Sequence, residues 1–126
     1  MKDELILSIR GAAIGTITPE SSSEEKFQNQ TLRPILKTQN DLLLAVFKNY
    51  IAKQKIDFKV FTPEKKMLFI ENAIQRDIKF RNSLKGMIIG FFTLLEYEEY
   101  ILNSSNLNKR MMNLLIERYK SQIQII

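Results

Sequence analysis

Apolar residues recur every three or four positions along most of this chain, a pattern that predicts amphipathic α-helices. A first short helix is predicted over about residues 2–14, ending at a glycine. Residues 15–30 are polar without a sustained period, so they predict a long arm or loop. Within that arm, Ser22 or Ser23 before two glutamates can cap one helical turn, which Phe27 would anchor.

The next two predicted helices are long. One covers about residues 31–55, with Pro34 in its first turn, where the missing backbone N–H of proline costs nothing. The other begins at Pro63, after Thr62 as N-cap, and continues to at least Asn82. These two helices supply most of the apolar positions in the middle of the chain.

Two further helices are predicted towards the C-terminus. The pattern sets no boundary between residues 83 and 92, because two glycines there weaken a helix by about 1 kcal/mol each without preventing it. Thr93 and Glu96 have the spacing of a capping box, so a helix should begin there, and residues 103–106 interrupt it. The last helix is predicted over about residues 105–124.

Together these elements predict an all-α fold, a compact bundle of about five helices with a long polar N-terminal arm. No stretch alternates with period two between hairpin turns, and the weak alternation of residues 56–61 allows one short extended connection at most. A chain of 126 residues can bury one core and is too short for two ordinary domains. We therefore predict one domain, 1–126, with residues 31–126 as its helical core.

The apolar faces of the second and last helices are unusually wide. In the last helix the apolar residues cover well over half of the circumference, more than burial against one monomeric core requires. This width predicts self-association, as a homodimer, with another protein as a further partner.

The amino-acid composition limits the kinds of catalytic and metal sites that this chain can form. The chain has no cysteine and no histidine, which removes disulfides, thiolate zinc sites, the commonest general base and the commonest transition-metal ligand. Carboxylates at Glu96 and Glu99 lack the histidines that complete a metal site in helical bundles. We predict no metal and no cofactor, and we favour a non-enzymatic interaction protein over a carboxylate- or lysine-based enzyme.

The densest polar group within an apolar context lies at residues 77–85. If a helix runs through it, Asp77, Arg81 and Lys85 share one face, and with Asn82 they form a candidate pocket for an anion or polar ligand. An enzyme would use Asp77, Arg81 and Lys85 together with Glu96. A solvated row of salt bridges is the simpler interpretation.

The net charge of +5 is unevenly distributed, at −2 over residues 1–30, +5 over 31–66 and +2 over 67–126. A basic region of this kind attracts phosphate backbones or other anions. An alternative function is therefore a nucleic-acid-associated regulator, although no nucleic-acid-binding motif is present. The basic patch of that alternative consists of Arg33, Lys37, Lys48, Lys53, Lys55 and Lys59. The acidic first block could instead pair with this patch, within one chain or between two.

The longest apolar stretch, residues 87–95, is about half of the roughly 20 residues needed to cross a bilayer. The N-terminus lacks the apolar region and cleavage pattern of a signal peptide. We expect a cytoplasmic protein without a membrane association.

Four runs carry a resemblance to a known family: TLRPILK (31–37), DIKFRN (77–82), LKGMIIG (84–90) and NSSNLNKRMM (103–112). They resemble a family of short uncharacterised proteins from marine Bacteroidetes, over nearly the whole chain. Some members are labelled glyoxalase, which implies a metal-dependent lyase of βαβββ modules with histidine and glutamate ligands. This chain has neither histidine nor a strand pattern, so no family site can be transferred to its residues.

Overall fold

The structure is a computed structural model that describes residues 1–126, and it contains helices and turns but no β-strand. The all-α prediction is confirmed, although the helices are shorter and more numerous than the five expected. No helix combines the length and apolarity needed to span a membrane. The helices are α1 (Lys2–Arg10), α2 (Ser23–Phe27), α3 (Arg33–Thr38), α4 (Asn40–Lys53), α5 (Pro63–Arg76), α6 (Ile78–Ile89), α7 (Leu94–Ile101) and α8 (Ser104–Ser121). A π-helical turn covers Gln28–Leu32, and 3-10 turns cover Phe58–Val60 and Ile123–Ile125.

Two predicted helix starts are confirmed. The Thr62 hydroxyl caps α5 by accepting a hydrogen bond from the Lys65 amide at 3.2 Å. Thr93 and Glu96 form the predicted capping box at the start of α7, with each side chain bonded to the backbone of the other residue. Both starts depend on local chemistry, which explains why the sequence revealed them.

The N-terminal region is more helical than predicted. α1 is capped at its C-terminus by Gly11, whose φ of 76° lies in the left-handed region that favours glycine. This glycine comes four residues before the predicted stop. The predicted arm is helical from Ser23, where the Ser22 side chain caps α2 and Phe27 is buried. α2, the π-helical turn and α3 follow one another directly, so the arm leads into the core as helix.

The second predicted helix is divided at Gln39, between α3 and α4. The Thr38 hydroxyl donates to the Pro34 carbonyl at 2.8 Å, a bond within the helix that is associated with bending. The bend allows both halves to face the core, since Ile35 of α3 and Phe47 of α4 are fully buried.

The third predicted helix also ends early, so its predicted continuation to Asn82 is wrong. Asp77 has φ −84° and ψ 96°, which is not helical, and its Oδ1 accepts a hydrogen bond from the Phe80 amide at 3.2 Å. An aspartate that caps the next helix competes with continuation of the previous one. α5 therefore ends at Arg76, and α6 begins at Ile78.

α8 lies at the centre of the bundle. It packs against α5, α6, α7 and the π-helical turn, and the Tyr119 hydroxyl donates to the Leu43 carbonyl at 2.7 Å. The buried side chains of α8 are Leu107, Met111, Met112, Leu114, Leu115, Ile116 and Tyr119. The wide apolar face is therefore covered within the monomer, and the step from its width to self-association is wrong. Self-association itself stays a prediction.

Candidate functional site

A polar cleft of about 500 Å³ lies between α6 and α8, beside the end of α5. Its lining residues are Gln75, Arg81, Lys85, Ser105, Asn108, Lys109, Met112 and Asn113, hereafter the basic cleft. Two of the four residues predicted to form a polar pocket, Arg81 and Lys85, belong to it. They are one turn apart on α6, and Lys109 adds a third positive charge from α8.

The other two predicted pocket residues lie elsewhere. Asp77 borders a separate shallow depression, where its Oδ2 accepts a hydrogen bond from the Tyr50 hydroxyl at 2.8 Å. The bond from the Phe80 amide, followed by that from Tyr50, lowers the pKa of Asp77. Burial, with the hydrogen bond to Asp77 and its negative charge, raises the pKa of Tyr50 to about 12. Asn82 is exposed and lines neither depression.

Few hydrogen bonds within the protein engage the donors of the basic cleft. Arg81 Nη1 donates to the Gln75 carbonyl at 3.2 Å, while Lys85 and Lys109 form no ion pair and no side-chain hydrogen bond. The Oδ1 atom of Asn108 accepts a hydrogen bond from the Tyr100 hydroxyl at 2.5 Å, which leaves its Nδ2 donor free. No acidic residue lines the cleft. The arrangement can therefore bind a negatively charged group.

Sequence reasoning missed the half of the cleft that α8 contributes. Ser105, Lys109 and Asn113 recur at a spacing of four, which marks the polar face of an amphipathic helix. That spacing was a usable signal. The spacing could not show that this face of α8 meets Arg81 and Lys85. That meeting results from the packing of α8 against α6, which is a tertiary contact.

The predicted nucleic-acid patch is dispersed over several elements, from α3 to the loop after α4. Arg33 is held by Asn29, to which its Nε donates at 3.0 Å. The five lysines of the patch are exposed and form no ion pair. Lys48 and Lys59 border one groove of about 470 Å³ together with apolar residues near the C-terminus. Nucleic-acid binding by this patch stays a prediction.

The acidic N-terminal block does not pair with the basic patch within the chain. Glu24 instead contacts Arg110 of α8, with Oε2 and Nη2 3.5 Å apart, and its Oε1 accepts a hydrogen bond from Asn103 at 2.9 Å. Asp3 accepts a hydrogen bond from the Leu94 amide at 3.2 Å. These contacts tie the N-terminal helices to α7 and α8.

A buried ion pair joins α1 to α7, and no pattern in the sequence indicates it. The two terminal nitrogens of Arg10 donate to the two carboxylate oxygens of Glu96 at 2.5 and 2.7 Å. Arg10 also donates to the carbonyls of Phe91 and Gln30, and the Thr31 hydroxyl donates to Glu96 at 2.6 Å. Only 2% of the Arg10 side chain is exposed, and its buried Nε has no acceptor. This Arg10–Glu96 network fixes α7 on the N-terminal region.

Burial alone would raise the pKa of Glu96, but the hydrogen bonds from Arg10, Thr31 and Thr93 and the charge of Arg10 outweigh it and lower this pKa below its ordinary 4.5. The stabilisation from Glu96 is then complete well above pH 4.5 and is lost as the pH falls through the lower folded-state value.

We expect Glu96→Gln to lower the free energy of unfolding by about 2 kcal/mol near neutral pH. This difference from wild type should shrink as the pH falls through the lowered folded-state pKa of Glu96, because the protonated carboxyl is then neutral like glutamine. Urea unfolding at several pH values measures it. Glu117→Gln, at an exposed glutamate of α8 without an ion pair, is the control. A Glu96→Gln difference that stays constant with pH would contradict the assignment.

The outer face of α7 carries a group of exposed aliphatic side chains, hereafter the α7 patch. They occupy about a third of the helix circumference, opposite the inward-facing Glu96 and Tyr100. The members are Leu94, Leu95 and Ile101 of α7 and its C-cap residue Leu102, exposed by 65, 76, 54 and 86%. Sequence analysis assigned the wide apolar faces to the second and last helices and missed this one. The only signal for this patch in the sequence was the helical spacing, which places the four residues on the side of a short helix away from Tyr100.

No group of three or more acidic side chains lies close enough together to hold a metal ion. Comparisons with models of protein families, with curated proteins and with solved structures found no match. The chain has no β-strand from which a βαβββ module could be built.

Proposed function

We propose that this is a non-enzymatic interaction protein that associates with a second copy of itself through the α7 patch. The observation that supports the proposal is the exposure of four aliphatic side chains, each more than half exposed, on one face of one short helix. Single exposed apolar residues are normal on a protein surface, whereas grouped ones are typical of interaction sites.

The presentation of the α7 patch supports the proposal. A capping box fixes the start of α7, and the Arg10–Glu96 network holds its inner face. Association therefore requires little ordering of the helix, which lowers the entropy cost of binding. α1, held beside α7 by the same network, also exposes Leu5 and Ile9.

The size of the patch suggests a weak dimer. A stable interface of standard size buries about 800 Å² per partner, more than four aliphatic side chains provide. Even with contributions from α1, we expect a dissociation constant in the micromolar range. Glu98 lies between the patch residues, and Lys2 borders the same surface near Leu94. For a twofold dimer we propose that Lys2 of each copy neutralises Glu98 of the other.

Three of the ionisable groups with displaced pKa values, Glu96, Asp77 and Tyr119, have structural roles, which supports a non-enzymatic function. Glu96 binds Arg10, and Asp77 caps α6. Burial raises the pKa of Tyr119, whose hydroxyl donates to a backbone carbonyl in the core. Each of these groups is already engaged by the fold, so none of them requires a substrate to explain it.

Replacing Leu95 by glutamate should abolish self-association, since the substitution would bury a second negative charge, beside that of Glu98, in the apolar contact. Sedimentation velocity between about 10 and 200 µM should show a concentration-dependent dimer for wild type and a monomer for Leu95→Glu. Val60→Glu is the matched control, because Val60 is 72% exposed and lies outside α7. The proposal fails if wild type stays monomeric over this range, or if Val60→Glu dissociates the dimer equally.

A further inference from the structure

We propose that the basic cleft binds a small, multiply charged anion of the phosphorylated sugar or polyol class. This inference is independent of self-association, because the cleft lies between α6 and α8 and includes no residue of the α7 patch.

The basic cleft carries positive charge that no acidic residue neutralises. Arg81, Lys85 and Lys109 line one cavity without an acidic neighbour in its lining. The fold does neutralise two of the three other cations of α8, since Arg110 pairs with Glu24 and Lys120 pairs with Glu71. Three positive charges around one cavity repel one another and concentrate anions there. A ligand with at least two negative charges would relieve this repulsion.

The basic cleft also offers hydrogen-bond donors that are not used within the protein. Only Nη1 of the Arg81 guanidinium has an acceptor in the protein, at the Gln75 carbonyl. Nη2 and the ammonium groups of Lys85 and Lys109 remain available to phosphate oxygens. Tyr100 engages the carbonyl oxygen of Asn108, so the amide nitrogen of Asn108 is left to donate to a ligand.

The uncharged lining of the cleft indicates the chemistry of the part of the ligand that lies between its charges. Gln75, Ser105, Asn108 and Asn113 offer amide and hydroxyl groups, whereas Met112 is the only hydrophobic residue of the lining. No aromatic ring is present to stack on a nucleobase. This lining suits a compact ligand rich in hydroxyl groups. A volume of about 500 Å³ is adequate for a small metabolite.

Isothermal titration calorimetry of the full chain with fructose bisphosphate tests the proposal. We expect binding that Lys85→Gln and Lys109→Gln each weaken about tenfold, the loss expected from one charge-assisted hydrogen bond. Lys79→Gln is the matched control, because it removes an exposed charge from α6 outside the cleft. It should change the affinity less than about twofold. Leu95→Glu should bind like wild type, which separates this proposal from that of self-association.

Two further probes define the ligand class. Pyrophosphate supplies the charge without hydroxyl groups, and ATP adds a nucleobase, so both should bind more weakly than fructose bisphosphate. Tighter binding of either probe would overturn the sugar or polyol assignment. The site itself is refuted if none of the three anions binds at millimolar concentration, or if Lys79→Gln weakens binding as much as the two cleft variants do.

Discussion

Replacing Arg10 by methionine is expected to lower the free energy of unfolding by about 3 kcal/mol, the usual cost of removing one partner of a buried ion pair. Methionine keeps most of the apolar length of the side chain but removes every hydrogen bond of the guanidinium group. Glu96 then lacks both of its bonds to Arg10, and the carbonyls of Phe91 and Gln30 lose a donor. Urea unfolding followed by circular dichroism measures the loss.

The control for this prediction is Arg110→Met. Arg110 also pairs with a glutamate, Glu24, but at 3.5 Å and with both side chains about 30% exposed. Partly exposed pairs contribute about 1 kcal/mol or less. If both variants lose the same stability, burial does not distinguish the two pairs and our account of the Arg10–Glu96 network is wrong.

A double-mutant cycle separates the pair from its surroundings. In the double variant with Arg10→Met and Glu96→Gln, the second substitution should lower the free energy of unfolding much less than it does alone, because the first has already removed the interaction.

The Arg10→Met variant should also associate more weakly than wild type, since α7 and its exposed patch depend on this network for their position. Sedimentation velocity at concentrations where the variant remains folded tests this link.

Replacing Phe47 by alanine should destabilise the protein by about 4 kcal/mol. The ring is fully buried and lies near five other aromatic rings, with its centroid 4.6 Å from that of Tyr119 and 5.9 Å from that of Phe80. These residues come from α4, α8 and α6, so the cavity would open where three helices meet. Thermal and urea unfolding should show the loss.

Phe61→Ala is the matched control for the core substitution. The Phe61 ring is partly buried at the edge of the same aromatic group, and Lys65 lies over it with Nζ 4.2 Å from the ring centroid. We expect a loss of about 1 to 2 kcal/mol, because the truncated side chain leaves space that solvent can reach. A Phe61→Ala loss equal to that of Phe47→Ala would place the centre of the core elsewhere.

The two proposed binding surfaces are unusual for different reasons, one because it is apolar and the other because it is positively charged. The α7 patch exposes apolar side chains that could have been covered, while the basic cleft gathers cations that could have been paired. Both departures have a cost for an isolated monomer, in exposed apolar area and in charge repulsion. Binding partners of matching chemistry would remove both costs.

Much of the local structure was readable from the sequence. The caps at Thr62 and Thr93 involve residues within three positions of each other, so their geometry is set by the chain itself. Asp77 was singled out for its charge, although its capping role ends α5 and so separates it from Arg81 and Lys85. The sequence could not show that Asp77 ends α5, because the position of its carboxylate also depends on Tyr50 of α4, which donates a hydrogen bond to it.

The sequence by itself determined that the chain is helical, where several helices begin, and which residue types are available for chemistry. Only the tertiary structure decided which apolar face is covered and which is left to solvent: α8 is enclosed by its neighbours, while α7 has its outer face free. It also decided that Arg10 meets Glu96 and that Lys109 joins Arg81 and Lys85. Helical periodicity depends on neighbours three or four residues apart, whereas these contacts join residues more than twenty positions apart, through the packing of whole helices.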